Sequence, residues 1–350
     1  MTSLKVHLVL STALALLPFI LPLPSTTVAV KFFLSVFTAV LTCSVLSNLP
    51  RGRLPIANKA VLVTGCDSGF GLAAAQYLHS LGYLVFAGCL FKDKGGEGAS
   101  KLMRIDPTRL KVLQLDVASE VQVREAVHFV KQHLIDKNKG LWGLVNNAGV
   151  SFVGEIEWCT VEKYKWVCEV NLFGMIRVTK AFLPLIRKAR GRIVNMSSGI
   201  SRQAIPTRSV YCVSKFAVQG FSDCLRYEMV HWGVKVSIVE PGNFIAATGI
   251  FNDDIIDGYA KELWEGMSEE VRKDYGKRYF DDSIATMRTY SSSGVPTMKP
   301  VIDAYVDALV SKRPKIRYYA MPLYWQVRRL VFTHLPECIA DAIYHGIYYS

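Results

Sequence analysis

The sequence predicts an α/β protein: a doubly wound parallel sheet with helices packed on both faces. Three observations lead there. Short, β-branched apolar runs alternate with amphipathic stretches. The first run leads directly into a glycine-rich turn and a helix start. Later runs close on small or polar residues, at the strand ends where such a sheet holds its ligand.

The opening strand is Lys59-Ala-Val-Leu-Val-Thr64, followed by Gly65-Cys-Asp-Ser-Gly69-Phe-Gly71 and an amphipathic helix from Leu72 to Leu81. In that order they direct backbone N–H groups and the positive helix end at a phosphate. Gly65 permits the tight turn, Gly69 the approach of pyrophosphate, and Gly71 the close packing of helix on strand. Ser68 and Phe70 belong to the same cradle and join the cofactor-binding set. A glycine triplet alone is often only a turn; its flanks make this one a dinucleotide site.

The next strand, Tyr83 to Ala87, ends at Gly88-Cys89-Leu90. An acid there commonly binds the adenine ribose. Cys89 stands near that place, so the candidate is Asp93, between Lys92 and Lys94. No Arg or Lys lies inside the glycine turn to meet a 2′-phosphate, which favours NAD; the two lysines keep NADP as the alternative. Strands at 110–115 and 141–145 end in Asp116-Val117 and Asn146-Asn-Ala-Gly149. Asp116 is placed at the adenine end, with helix capping the plainer account. Asn147, Ala148 and Gly149 are expected to bond neighbouring strands and to let a cofactor lie close.

Gly191-Arg-Ile-Val-Asn-Met-Ser-Ser198 is a further buried strand, ending in a hydroxyl able to donate to a carbonyl oxygen. Tyr211 and Lys215, four residues apart, share one helix face. A fixed ammonium there is expected to ease ionisation of the phenol, as proton transfer to a substrate oxygen requires. Asn171 falls in a predicted helix although Asn is a poor helix former. It is read either as a side chain bonded to backbone or as a kink holding a water in line with Lys215. Arg208, three residues before Tyr211, suits a substrate carboxylate, with a solvated helix-start arginine as the alternative. Arg202 and Gln203 are weaker candidates for that role.

In order, Thr-Gly-x-x-x-Gly-x-Gly (64–71), Asn-Asn-Ala-Gly (146–149), Asn171, Ser198, Tyr211-x-x-x-Lys215 and Pro241-Gly242 resemble the short-chain dehydrogenase/reductase family, over roughly residues 57–320. The stretches 64–71, 141–144, 239–244, 271–277 and 333–336 resemble its branch acting on 3-hydroxybutyrate, retinol and hydroxysteroids. The resemblance implies a Rossmann-type sheet and NAD-dependent oxidation of a secondary alcohol, with (R)-3-hydroxybutyrate to acetoacetate foremost. A retinol or hydroxysteroid dehydrogenase is the alternative. It makes Tyr211 the acid/base and Lys215 the group that lowers its pKa and holds the nicotinamide ribose. Ser198 then polarises the reacting oxygen and Asn171 keeps a relay water. Pro241, Gly242 and Thr248 take the nicotinamide end. A catalytically idle dinucleotide-binding scaffold would have lost one of Tyr, Lys or Ser, and this chain keeps all three.

The chain has 350 residues and a net charge of +12, from 41 Lys+Arg against 29 Asp+Glu. No nucleic-acid-binding signature accompanies that charge, so anionic lipid or substrate is the better partner. The eight cysteines lack metal or disulfide spacing and read as reduced structural thiols, with no metal site expected. Residues 6–24 and 28–47 are apolar runs close to the roughly 20 residues that cross a bilayer. They predict membrane attachment through residues 1–54, with a removable targeting segment as the alternative, ahead of a catalytic domain at 55–320 with a helical lid at about 243–300. The tail at 321–350, and the aromatic and arginine residues from 317 onward, suit a bilayer interface and a subunit interface equally; the resemblance implies lipid contact. A small hydroxy acid, membrane lipid and further copies of the chain are the expected partners. The resemblance implies the mitochondrial inner membrane, while the double apolar start looks more like relatives of the endoplasmic reticulum.

Overall fold

The computed structural model describes residues 30–32, 34–39, 42, 51–137 and 139–348. The chain divides into two units, Met1–Gly52 and Arg53–Ser350. The apolar run at 6–24 lies outside the described residues; of the run at 28–47 only the helical residues 30–32, 34–39 and 42 are described. Among the described residues no helix is long and apolar enough to cross a membrane.

The second unit is built on seven strands: β1 (Ala60–Thr64), β2 (Leu84–Cys89), β3 (Leu110–Gln114), β4 (Gly143–Asn146), β5 (Arg192–Met196), β6 (Lys235–Pro241) and β7 (Arg317–Ala320). Their order is β3-β2-β1-β4-β5-β6-β7, with every neighbouring pair parallel. The chain runs outward from β1 through β2 to β3, then returns to the other side of β1 at β4. That reversal opens a crevice at the carboxyl ends of β1 and β4, the place a doubly wound sheet offers a ligand.

Alternation along β1 fixes the two layers. Val61 and Val63 face one core with Leu78 of the Gly69–Ser80 helix and Tyr305 of the Lys299–Val310 helix. Ala60 and Leu62 face the other, with Val123, Val178 and Leu225 from the Glu120–His133, Met175–Ala189 and Ser209–Glu228 helices. Both faces are covered, which is why these strands read as continuous apolar runs. The strands expected at 59–64, 83–87, 110–115, 141–145 and 191–198 are all present within a few residues.

Two strands extend the sequence-based picture. β6 ends at Pro241, and β7 sits beside it in the stretch read as lipid-facing. The Tyr318 hydroxyl donates to Asp307 Oδ2 at 2.7 Å, and Arg317 pairs with Asp223 and Glu240. Arg328 and Arg329, in the Leu323–His334 helix, are also buried. These residues serve internal packing, because each cation finds a ring or carboxylate partner inside the unit. Leu323, Tyr324 and Val327 remain exposed on the same helix.

Asn171 occupies a π-helical stretch, Glu169–Gly174, between the Val161–Cys168 and Met175–Ala189 helices. A poor helix former thus sits where the helix widens to the π form. Residues 250–298 form the Asp253–Gly266 and Glu269–Thr289 helices, the latter broken at Gly276 with φ 74°.

The glycine turn is packed backbone on backbone. A Cβ at Gly71 would lie 2.0 Å from the Gly65 carbonyl oxygen and 2.6 Å from Asn147 Nδ2. Gly71→Ala is therefore expected to force the turn open, at a cost of roughly 1–3 kcal/mol. Urea denaturation measures that loss, and binding of the dinucleotide should weaken with it.

Candidate active site

Thr64, at the end of β1, locks the turn to β4. Its hydroxyl accepts from Asn147 N and Ala148 N, both at 3.0 Å, and Asn147 Nδ2 donates to the Thr64 and Gly65 carbonyls at 2.9 and 3.1 Å. The Tyr305 hydroxyl donates to Asn147 Oδ1 at 2.9 Å and completes the lock. Ser68 precedes the Gly69–Ser80 helix in extended conformation without a side-chain cap bond, and no acid lies in that first turn. The leading N–H groups thus remain available to an anion.

From this turn a cavity of about 1190 Å³ runs to Tyr211 and beyond. Gly65, Ser68, Gly69, Phe70, Asp116, Asn147, Ala148, Gly149, Pro241, Gly242 and Thr248 line it, together with Ser198, Arg208, Tyr211 and Lys215. Gly71 lies beneath the turn, against Gly65. Asp116 Oδ1 accepts from Ala118 N at 2.9 Å, a local turn bond in keeping with its capping alternative. Thr248 packs beside Gly69, and its hydroxyl donates to the Phe244 carbonyl at 2.9 Å. The residues present fit a bound dinucleotide: an open helix N-terminus, a cradle with no room for side chains, and one continuous cleft.

Asp93 lies outside this lining; its carboxylate meets Lys92 Nζ at 3.2 Å. Asp67, in the middle of the glycine turn, stands at the end of β2 instead. Its two carboxylate oxygens accept from Leu90 N at 2.7 Å and Phe91 N at 2.9 Å. Sequence reasoning passed over Asp67 because it counted along β2 for an acid. The carboxylate is delivered by the neighbouring strand's turn, and the available signal was an Asp within Gly-Cys-Asp-Ser-Gly.

Lys215 is 2% exposed and donates from Nζ to the Met196 carbonyl at 3.1 Å, so the end of β5 holds the ammonium. Nζ stands 5.5 Å from the centre of the Tyr211 ring. Burial brings the Lys215 amine down to about 8. Burial also pushes the Tyr211 phenol up to about 12, and a hydrogen bond with Ser198 pulls the other way. The spacing alone predicted a lowered phenol. The structure corrects this: desolvation of the phenolate outweighs its neighbours, and the resting site keeps the proton on Tyr211.

Asn171 has no exposed surface. Its Oδ1 accepts from Val150 N at 2.8 Å, and Nδ2 donates to the Val150 carbonyl at 2.9 Å and Ser214 Oγ at 3.0 Å. Ser214 Oγ donates in turn to the Tyr211 carbonyl at 2.8 Å. The side chain therefore clasps the segment after β4 to the Tyr211 helix, the first of the two readings made for it. A Cβ at Gly149 would sit 3.1 Å from Asn171 Oδ1 and 3.6 Å from Lys215 Nζ, so a larger residue there would press on the Asn171 amide.

Arg208 lies over the rings of Phe251 and Tyr290, 5.3 and 5.7 Å from their centres. Its guanidinium has no carboxylate or hydrogen-bond partner among the described residues, and burial lowers its pKa. Arg202 is instead directed to the buried Glu240 at 3.8 Å, while Gln203 lines the cavity. Cys212 is buried and its thiol is pushed up, which makes it a poor nucleophile.

Sheet order, glycine turn and the convergence of Ser198, Tyr211 and Lys215 are those of an oxidoreductase of the doubly wound class. The chain belongs to the short-chain dehydrogenase family, whose profile, described as short chain dehydrogenase, matches residues 59–253. It is 54% identical to the rat (Rattus norvegicus) mitochondrial D-beta-hydroxybutyrate dehydrogenase over 82% of this chain and 84% of that one. It is 38% identical to rat retinol dehydrogenase 7, over 82% and 88% of the two chains. Among solved structures, a short-chain dehydrogenase from Streptomyces avermitilis superposes with a TM-score of 0.62 at 26% identity, covering 83% of this chain and 98% of that one.

Lys215 also imposes a measurable strain on the fold. Its folded pKa of about 8 lies below its ordinary 10.5, so the ammonium destabilises the fold below pH 8, and the penalty fades as pH rises towards 10.5. Lys215→Met is expected to abolish turnover yet stabilise the cofactor-free protein by roughly 2–3 kcal/mol at pH 7, after allowing for the lost Met196 bond. Denaturant melts at pH 7 and pH 10 should show that advantage shrinking.

Proposed function

We propose that the protein is an NAD-dependent dehydrogenase that oxidises (R)-3-hydroxybutyrate to acetoacetate, reversibly. The observation carrying the reading is Arg208: a guanidinium over two aromatic rings with no carboxylate or hydrogen-bond partner among the described residues, three residues from Tyr211. Such a cation is matched by the carboxylate of a hydroxy acid, which forms two parallel hydrogen bonds to it. The identity to hydroxybutyrate dehydrogenases of rat, mouse and cattle supports the same substrate.

In this reading Ser198 Oγ donates to the reacting oxygen, and Tyr211 Oη exchanges its proton with it. Lys215, fixed on the Met196 carbonyl, supplies the cation beside the phenol and reaches the ribose side of the cleft. Bound in the cleft, an oxidised nicotinamide supplies the hydride acceptor and a positive charge that favours phenolate. The glycine turn and helix end hold its phosphates, and Thr248 with Pro241 and Gly242 borders the nicotinamide end. Asp67 stands where the adenosine 2′-oxygen is read, and its charge opposes a 2′-phosphate.

A second reading, a retinol or hydroxysteroid dehydrogenase, is favoured by the apolar side chains Met321 and Trp325 in the cleft and by likeness to retinol dehydrogenase 7. Membrane attachment through the apolar amino terminus, a mitochondrial setting and assembly with further copies of the chain complete the proposal.

Arg208→Leu should raise KM for D-3-hydroxybutyrate at least tenfold while leaving a neutral secondary alcohol within about twofold. Equal, small changes for both would remove Arg208 from the site and favour the second reading. Asp67→Asn should cut the NAD-to-NADP ratio of kcat/KM by roughly tenfold or more. An unchanged ratio would assign cofactor choice elsewhere.

A further inference from the structure

Two features of the cavity pull towards different substrates. A guanidinium with no carboxylate or hydrogen-bond partner among the described residues asks for a carboxylate, while Met321, Trp325 and Tyr344 add apolar lining beyond the residues placed against the dinucleotide and the reacting oxygen. We propose that the site is built for 3-hydroxy acids with an apolar chain longer than that of hydroxybutyrate, which is then its shortest substrate. This inference rests on the hydroxy-acid reading above and extends it to the chain beyond C4.

The direction of that chain follows from the fixed groups. With the carboxylate on Arg208 and the C3 oxygen between Tyr211 and Ser198, C4 leaves on the side away from Arg208. On the Ser198 side the wall changes character. Met321, Trp325 and Tyr344, all from the segment after β7, line the same cavity. Met321 Cε would lie 3.2 Å from a Cβ built at Gly199, the residue after Ser198. Met321 also packs over Gly242, where a Cβ would come within 2.8 Å of its own Cβ. Two glycines thus seat a flexible thioether against the residue that follows Ser198, and two aromatic side chains line the same cavity. Met adapts to chains of varying length, and the rings supply broad apolar area. A four-carbon acid reaching from Arg208 to Tyr211 leaves that wall untouched. A retinoid or steroid would fill it but leave Arg208 buried without a counter-charge, which is costly.

The test is a series of steady-state assays with NAD on D-3-hydroxybutyrate, D-3-hydroxyhexanoate, D-3-hydroxyoctanoate and D-3-hydroxydecanoate, with retinol and a steroid alcohol alongside. Each added methylene is expected to raise kcat/KM by roughly threefold to fourfold until the wall is filled. Trp325→Ala should lower the octanoate-to-butyrate ratio of kcat/KM at least tenfold. If kcat/KM falls steadily from the butyrate onward, the extended-chain inference is overturned and the hydroxy-acid reading stands. If no hydroxy acid is turned over while a neutral alcohol is, both fall together. The wild-type series decides the matter even where the variant fails to fold.

Discussion

The bond from Lys215 Nζ to the Met196 carbonyl is the joint on which the site depends. It ties the helix carrying Tyr211 to the end of β5, two residues before Ser198. One buried cation thereby braces the Tyr211 helix against the strand end that carries Ser198. Asn171 supports the same joint from the other side, through Val150 and Ser214. Its π-helical setting is what turns that amide inward to meet them both.

Keeping these groups away from water has consequences in both directions. Desolvation holds the proton on Tyr211 and weakens the hold of Lys215 on its own, so the resting protein is not ionised for alcohol oxidation. The same dryness makes Arg208 informative. A surface arginine without a partner is ordinary, whereas one over Phe251 and Tyr290 in the cleft is the observation on which the proposed carboxylate site rests.

The cofactor end is governed by a different constraint, close backbone packing. Gly65, Gly71 and Gly149 are placed where another chain segment lies within van der Waals reach of any Cβ. The Thr64–Asn147–Tyr305 bonds hold those segments at that spacing. Asp67 is carried with the turn to the end of β2, so one loop supplies both the close-packed glycine backbone and a carboxylate beside Leu90 and Phe91.

Local pattern was enough to determine much of this protein. Alternating strand and helix signals, the glycine spacing and the Tyr211–Lys215 period are properties of neighbouring residues, so the parallel sheet and its ligand edge were legible in the chain. Three matters were decided only by tertiary packing. Asp67 rather than Asp93 reaches the cleft, because a turn on one strand bends over the end of the next. The phenol of Tyr211 is raised and not lowered, because burial depends on what covers the helix. Arg317 and Tyr318 became part of β7, and Met321 and Trp325 a wall of the cleft, because the last segment folds back onto the sheet. Charge and aromatic content are the same on a membrane face and in an internal seam, and only long-range contact distinguishes them.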